Sequence, residues 1–188
     1  AHLLEVARRN LRGNPRVSFV HSRFEDFRLP LGEERDLLVS AQAFHWIDPD
    51  RRFELARRAL REGGSIALLW NVPSRGDSHT DRAIHKAYGR FAPELLDTWW
   101  AKPETGAKVE DSIDESCLFG TVRMCRYPWK RYIPATDYGP LLETHSDHRL
   151  LPEARRRALF EEVMRSIERT GGVLESNGVT RLFVAKTR

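Results

Sequence analysis

Residues 36–71 read DLLVSAQAFHWIDPDRRFELARRALREGGSIALLWN, and the order of apolar runs and breakers in them decides the fold class. Asp36-Leu-Leu-Val-Ser-Ala41 is a continuous apolar run of strand length, the kind that parallel sheets bury on both faces. Asp48 then offers a helix N-cap with Pro49 at the first position, and Phe53, Ala56 and Leu60 recur at the spacing of one helix face. Gly63-Gly64 predicts the end of that helix, and Ser65-Ile-Ala-Leu-Leu-Trp70 is the next strand. Strand, helix and strand on tight loops make a βαβ unit, parallel and right-handed. The expectation is an α/β fold.

Upstream, residues 3–12 read as the end of an amphipathic helix, with Leu3, Leu4, Ala7 and Leu11 on one stripe and Gly13 at C′. Val17, Phe19 and Val20 predict a short strand ending near His21 and Ser22. Downstream, residues 79–92 read as a helix, and 93–116 hold Pro, Gly and acidic residues with Trp99 and Trp100. An alternating segment from Phe119 to Ile133 predicts a long strand, and Asp137–Glu143 and Pro152–Arg169 predict helices. Gly171-Gly172 ends the last helix, Asn177-Gly178 reads as a hairpin turn or an entry loop, and Val179–Ala185 is the final strand. No linker separates the halves, so the expectation is one domain, 1–188, with a helical cap-like insertion at about 75–118.

Composition narrows the class. The 188 residues are 40% hydrophobic and 31% charged, which fits a polar globular domain with a core of its own. No apolar run approaches the ~20 residues of a membrane span, so no membrane partner is expected. Cys117 and Cys125 are too few for a disulfide framework and lack CxxC spacing, which predicts a reducing cytoplasm. The net charge of +4 raises the question of nucleic acid. Its arginines, however, come in pairs on the polar sides of helices, mixed with Glu54, Glu62, Glu153, Glu161 and Glu162, which reads as solvated faces. A nucleic-acid partner is not expected.

Ligands of an open parallel sheet bind beyond the carboxyl ends of its strands. Three such ends are visible: Ser22-Arg23-Phe24-Glu25-Asp26, Gln42-Ala43-Phe44-His45-Trp46 and Trp70-Asn71-Val72. Together they carry acidic groups, an amide, an imidazole and aromatic rings, which favours a small-ligand cleft.

The run Asp36–Asn71 resembles the class I S-adenosylmethionine-dependent methyltransferases, nearest the small-molecule branch of trans-aconitate methyltransferase-like proteins. LLEVARRNL…VSFVHSRFEDF resembles that family's second helix and adenine-contacting loop, LLETHSDHRL its Thr-x-Ser stretch, and GVTRLFVAKTR its last strand. The resemblance implies a Rossmann-like, doubly wound, mostly parallel sheet with an antiparallel last strand. It implies S-adenosylmethionine as cofactor and a small-molecule methyl acceptor. It sets Arg23, Phe24 and Glu25 against the adenine ring, Ala41, Gln42 and Ala43 along the methionine end, and His45 and Trp46 toward the methyl or the acceptor. His45 would be the base for an acceptor that must lose a proton.

The family's Gly-rich turn and its ribose-binding acidic residue are absent, and no GxGxG occurs. The chain therefore resembles an N-terminally incomplete methyltransferase lacking the first strand–helix–strand. In the family's sheet order two strands lie between the one at Val17–His21 and the one at Leu37–Ala41, which leaves the former without a hydrogen-bonding neighbour. A non-catalytic binding module on the same fold is the alternative, with a nucleic-acid-binding protein and a nicotinamide-dependent Rossmann enzyme behind it.

Other groups point less far. His145 and His148 are spaced HxxH with no third ligand and read as solvated loop histidines, and no metal is expected. Cys117 and Cys125 read as a packed apolar pair. Glu110, Asp111, Asp114 and Glu115 read as a solvated loop. Trp99, Trp100, Trp129, Tyr132, Tyr138 and Thr144–Ser146 offer surface to cover a small acceptor, with Arg131 or Arg149 to pair with an acceptor carboxylate.

Overall fold

The apolar run at residues 36–41 forms a strand, Arg35–Ala41, labelled β1. The structure, a computed structural model, describes residues 2–30, 32–74, 76–96 and 105–188. Along the chain follow α1 (His2–Asn10), β1, a 3-10 turn at Phe44–Trp46, α2 (Arg52–Arg58), β2 (Leu60–Ser74) and α3 (His79–Phe91). A second 3-10 turn at Pro93–Leu95 leads to α4 (Thr105–Glu115), β3 (Arg123–Pro134), α5 (Ala135–Glu143), α6 (Ser146–Arg149), α7 (Glu153–Glu168) and β4 (Val173–Lys186).

The four strands form one sheet in the order β1-β2-β4-β3. Thr187 N–H donates to Gly64 O at 2.8 Å, and farther along Thr180 Oγ1–H donates to Asn71 Oδ1 at 2.6 Å. Rising numbers on β2 thus meet falling numbers on β4. The antiparallel bridge of Phe119 with Thr187 and the Lys130–Glu175 ion pair repeat this for β3. β1 joins β2 through the α2 crossover, so the sheet is mostly parallel with an antiparallel last strand, as expected.

The chain divides into two compact units. The first comprises Ala1–Leu68, Ser112–Val122 and Val184–Arg188, and the second Leu69–Asp111 and Arg123–Phe183. In the first, Phe53 and Ala56 are buried on α2 as the helical spacing requires, whereas Leu60, expected on the same helix face, is buried as the first residue of β2. The rings of Phe44, Phe53 and Phe119 meet at 5.3 and 6.4 Å. Burying each such ring contributes roughly 1.5–3 kcal/mol. In the second, α7 packs on α3 and α5, and Tyr88, Leu142, Leu159, Val163 and Ile167 are sealed between them. Ser78 and Asp81 form a reciprocal capping box that starts α3.

Several sequence expectations need correction. Val17, Phe19 and Val20 form no strand; a strand exists only with a hydrogen-bonded neighbour, and none pairs with them among the described residues. β1 is not a buried strand: Leu37 is 53% and Val39 57% exposed, because β1 lies at the end of the strand order. The α1 stripe covers no core either, with Leu3 and Leu11 exposed. α2 begins at Arg52; Asp48 instead accepts Asp50 N–H on its side chain and Arg52 N–H on its carbonyl, which makes 48–51 the lead-in turn.

Gly63-Gly64 lies inside β2 rather than ending the helix, with Gly63 at φ +71°, a left-handed conformation that glycine adopts readily. Asn177-Gly178 is likewise inside β4, where Trp129 lies so close to Gly178 that a Cβ would strike the indole. The acidic stretch 110–115 is helical, the C-terminal half of α4. Cys117 is exposed in the left-handed region and Cys125 is half-buried on β3, so they are not a packed pair. Trp99 and Trp100 lie outside the described residues.

Candidate functional site

The candidate site grows from the carboxyl end of β1. Ala41 closes the strand, and Gln42 follows at φ +55°, a left-handed conformation that costs a non-glycine residue of order 1–3 kcal/mol. That bend opens the 3-10 turn Phe44–Trp46, held by Trp46 N–H donating to Ala43 O at 3.0 Å and Ile47 N–H to Phe44 O at 3.3 Å. Phe44 points inward onto Phe53. His45 and Trp46 point outward with their rings 5.0 Å apart, and Trp46 is 72% exposed. The Arg52 guanidinium lies 5.8 Å from the Phe44 ring centre and 5.1 Å from that of Phe53, and braces the turn from behind.

The second part is the turn at Arg23–Phe27. Asp26 and Phe27 N–H groups donate back to Arg23 O at 3.2 and 3.1 Å, and Arg28 Nη1 donates to Glu25 O and Phe27 O at 2.6 and 2.8 Å. Glu25 joins the two parts. Its Oε1 accepts Asp48 N–H at 3.4 Å, its Oε2 lies 3.6 Å from Arg23 Nε, and its side chain is only 13% exposed. Its own backbone N–H first, then that of Asp48 and the Arg23 guanidinium, hold its carboxyl below the ordinary range against an opposing desolvation.

Of the residues singled out in the sequence, Arg23, Glu25, Ala41, Gln42, Ala43, His45 and Trp46 thus belong to one continuous stretch of the first unit, joined by Glu25 and Asp48. Phe24 also walls a cavity of about 290 Å³ with Phe27, Leu29, Pro30 and Leu55, flanked by Arg28, Glu34 and Arg58. The other candidates lie in the second unit. Tyr138 is buried in its helical core, Thr144 Oγ1–H donates to Leu141 O, and Arg149 is exposed. Arg131 rests 5.3 Å from the Trp129 ring centre and Tyr132 is exposed.

His148 corrects its sequence reading. It is completely buried, with Nε2 2.8 Å from Tyr88 Oη and Nδ1 2.9 Å from Asp147 Oδ1, and the His145 and Phe160 rings 5.6 Å away. Sequence reasoning missed this network and the Glu25–Asp48 bond, because both join residues far apart in the chain. No group of three or more potential metal ligands occurs among the described residues.

Residues 1–68 match the family model described as Methyltransferase domain. The chain is similar to an uncharacterised methyltransferase-like protein of Schizosaccharomyces pombe, 26% identical over 148 residues, which covers 75% of this chain and 54% of that one. An uncharacterised methyltransferase of Mycobacterium tuberculosis is 25% identical over 157 residues, covering 83% of this chain and 58% of the relative. The chain spans about half the length of these curated relatives. Among solved structures, a candidate type II methyltransferase from Anaeromyxobacter dehalogenans superposes with a TM-score of 0.58 at 23% identity, covering 93% of this chain and 72% of that one. The YcgJ protein of Bacillus subtilis gives a TM-score of 0.57 at 13% identity, covering 100% and 79%. The fold is the Rossmann-like sheet of the methyltransferases, and the first 68 residues carry the sequence signature of a methyltransferase domain.

Proposed function

We propose that this protein transfers the methyl group of S-adenosylmethionine to a small-molecule acceptor, within the trans-aconitate methyltransferase-like branch and in a reducing cytoplasm. The observation that carries the reading is the exposed His45–Trp46 pair beyond β1, tied through Asp48 to the Arg23–Glu25 turn, all inside the segment that matches a methyltransferase domain.

The residues present suit the adenine, methionine and sulfonium parts of such a cofactor, while the Gly-rich turn and the ribose-binding acidic residue of the resemblance are not among them. An adenosyl group asks for a turn with backbone groups to meet the base, and a sulfonium asks for an aromatic face. Arg23, Phe24 and Glu25 supply the first and Trp46 the second, while Ala41, Gln42 and Ala43 leave room for the methionine end. When bound, the cofactor supplies an electrophilic methyl group. The open face of Trp46 would hold the positive centre by roughly 0.5–2 kcal/mol of cation–π attraction. His45 takes the proton of an acceptor that must lose one; a carboxylate acceptor needs no base. The strained Gln42 turn, braced by Phe44 and Arg52, keeps these groups in place, which is most of what an in-line displacement requires.

The test is a titration of the isotope-labelled protein with S-adenosylhomocysteine, followed by backbone resonances. Shifts confined to residues 23–25 and 41–46 are expected. Shifts elsewhere, or none at millimolar ligand, would overturn the reading.

A further inference from the structure

We infer that Glu25 is a positioning residue, whose carboxylate ties the Arg23–Phe27 turn to Asp48, two residues beyond the Phe44–Trp46 turn, and so holds the cofactor loop in register with the methyl-facing pair. The inference deepens the proposed methyl transfer and rests on it for its functional part.

An oxygen count carries it. Glu25 Oε1 is taken by Asp48 N–H, Oε2 faces Arg23 Nε, and the carboxylate is largely covered by protein. Its side chain is spent inside the molecule, and its backbone O accepts Arg28 Nη1 at 2.6 Å, so the residue acts by holding the turn in place. The two turns are each closed by their own hydrogen bonds, one through Arg23 O and Phe24 O, the other through Ala43 O and Phe44 O. Each is stiff, and the link between them spans 23 residues of chain. Misplacing one against the other would separate base-holding from methyl-facing groups, the kind of shift that costs catalysis heavily. The lowered pKa of the carboxyl means that it accepts in its ionised form at neutral pH.

The role depends on reach. At 3.4 Å the Asp48 bond is already long, so an aspartate, one methylene shorter, cannot span it, whereas a glutamine keeps an acceptor oxygen at the same distance. Backbone-resolved hydrogen exchange of the Asp48 amide in the whole chain, in E25A, E25D and E25Q beside the unaltered protein, separates the cases. Protection should fall about tenfold in E25A and E25D, the size of one hydrogen bond, and stay within about threefold in E25Q. In parallel the affinity for S-adenosylhomocysteine should weaken in the same order. Equal exchange in all four proteins, or a loss in E25Q as large as in E25A, overturns the tether. Should E25A fail to fold, the comparison of E25D with E25Q decides alone. If the ligand moves no resonance of the unaltered protein, the methyl-transfer reading fails, while the amide comparison still judges the tether.

Discussion

At the scale of single residues, Trp46 and Glu25 illustrate opposite uses of a polar or aromatic group. Trp46 is a large ring left in water at a strand end, which folding alone does not reward. Replacing it by alanine should leave the melting temperature nearly unchanged and weaken S-adenosylhomocysteine or a sulfonium analogue, the sulfonium more, by the roughly 0.5–2 kcal/mol of one cation–π contact. Isothermal titration with both ligands reads the difference. Glu25 is the reverse, a carboxylate kept inside. Its pKa is lowered in the folded chain, so it stabilises above the ordinary carboxyl range, and that stabilisation is lost as pH falls through its lowered value. The melting-temperature gap between the unaltered protein and E25Q should therefore be present at neutral pH and close in acid. A gap that widens in acid would contradict it.

At the scale of elements, α6 and β1 departed most from their sequence readings. His148 sits on a four-residue helix, and nothing in HSDHR distinguishes a solvated loop from a buried pin. What buries it is α3 bringing Tyr88 and α7 bringing Phe160 against it. Tyr88→Phe removes the partner of a sealed ring nitrogen and should cost about 1–3 kcal/mol, seen as a lower melting temperature with unchanged helix content. For β1, the apolar run correctly indicated a strand and wrongly indicated burial, since its alternating partners on the open side are water. Replacing Leu37 and Val39 together by lysine should change stability by no more than ~0.5 kcal/mol per site and reduce association with rising concentration. A loss of several kcal/mol would mean that the strand is covered after all.

At the scale of the whole molecule, the net charge is +4, and many arginines stand in ion pairs on several elements. Arg58 pairs with Glu54, Arg61 with Asp36, Arg82 with Asp77, Arg155 with Glu94 and Arg157 with Glu153, all on exposed side chains. Such pairs are worth ~0–1 kcal/mol each, yet they cancel the local field that draws a polyanion. A short oligonucleotide should show no binding at ~0.15 M salt, about one 8 Å screening length, by fluorescence anisotropy. A steep loss of binding with added salt would favour a nucleic-acid partner instead.

The sequence by itself determined what is local. The spacing of Phe53 and Ala56 specifies a helix face, and the apolar runs at 36–41 and 65–70 specify strands. The alternation after Phe119 specifies another. These follow from periodicity and from backbone bonds between near neighbours. Only the tertiary structure decided that residues 17–20 stay unpaired, that β1 shows its apolar side chains to water, that His148 is sealed, and that Glu25 reaches Asp48. The reason is the same in each case. Burial, strand pairing and a hydrogen bond between distant segments depend on which element arrives alongside, and that partner is written elsewhere in the chain.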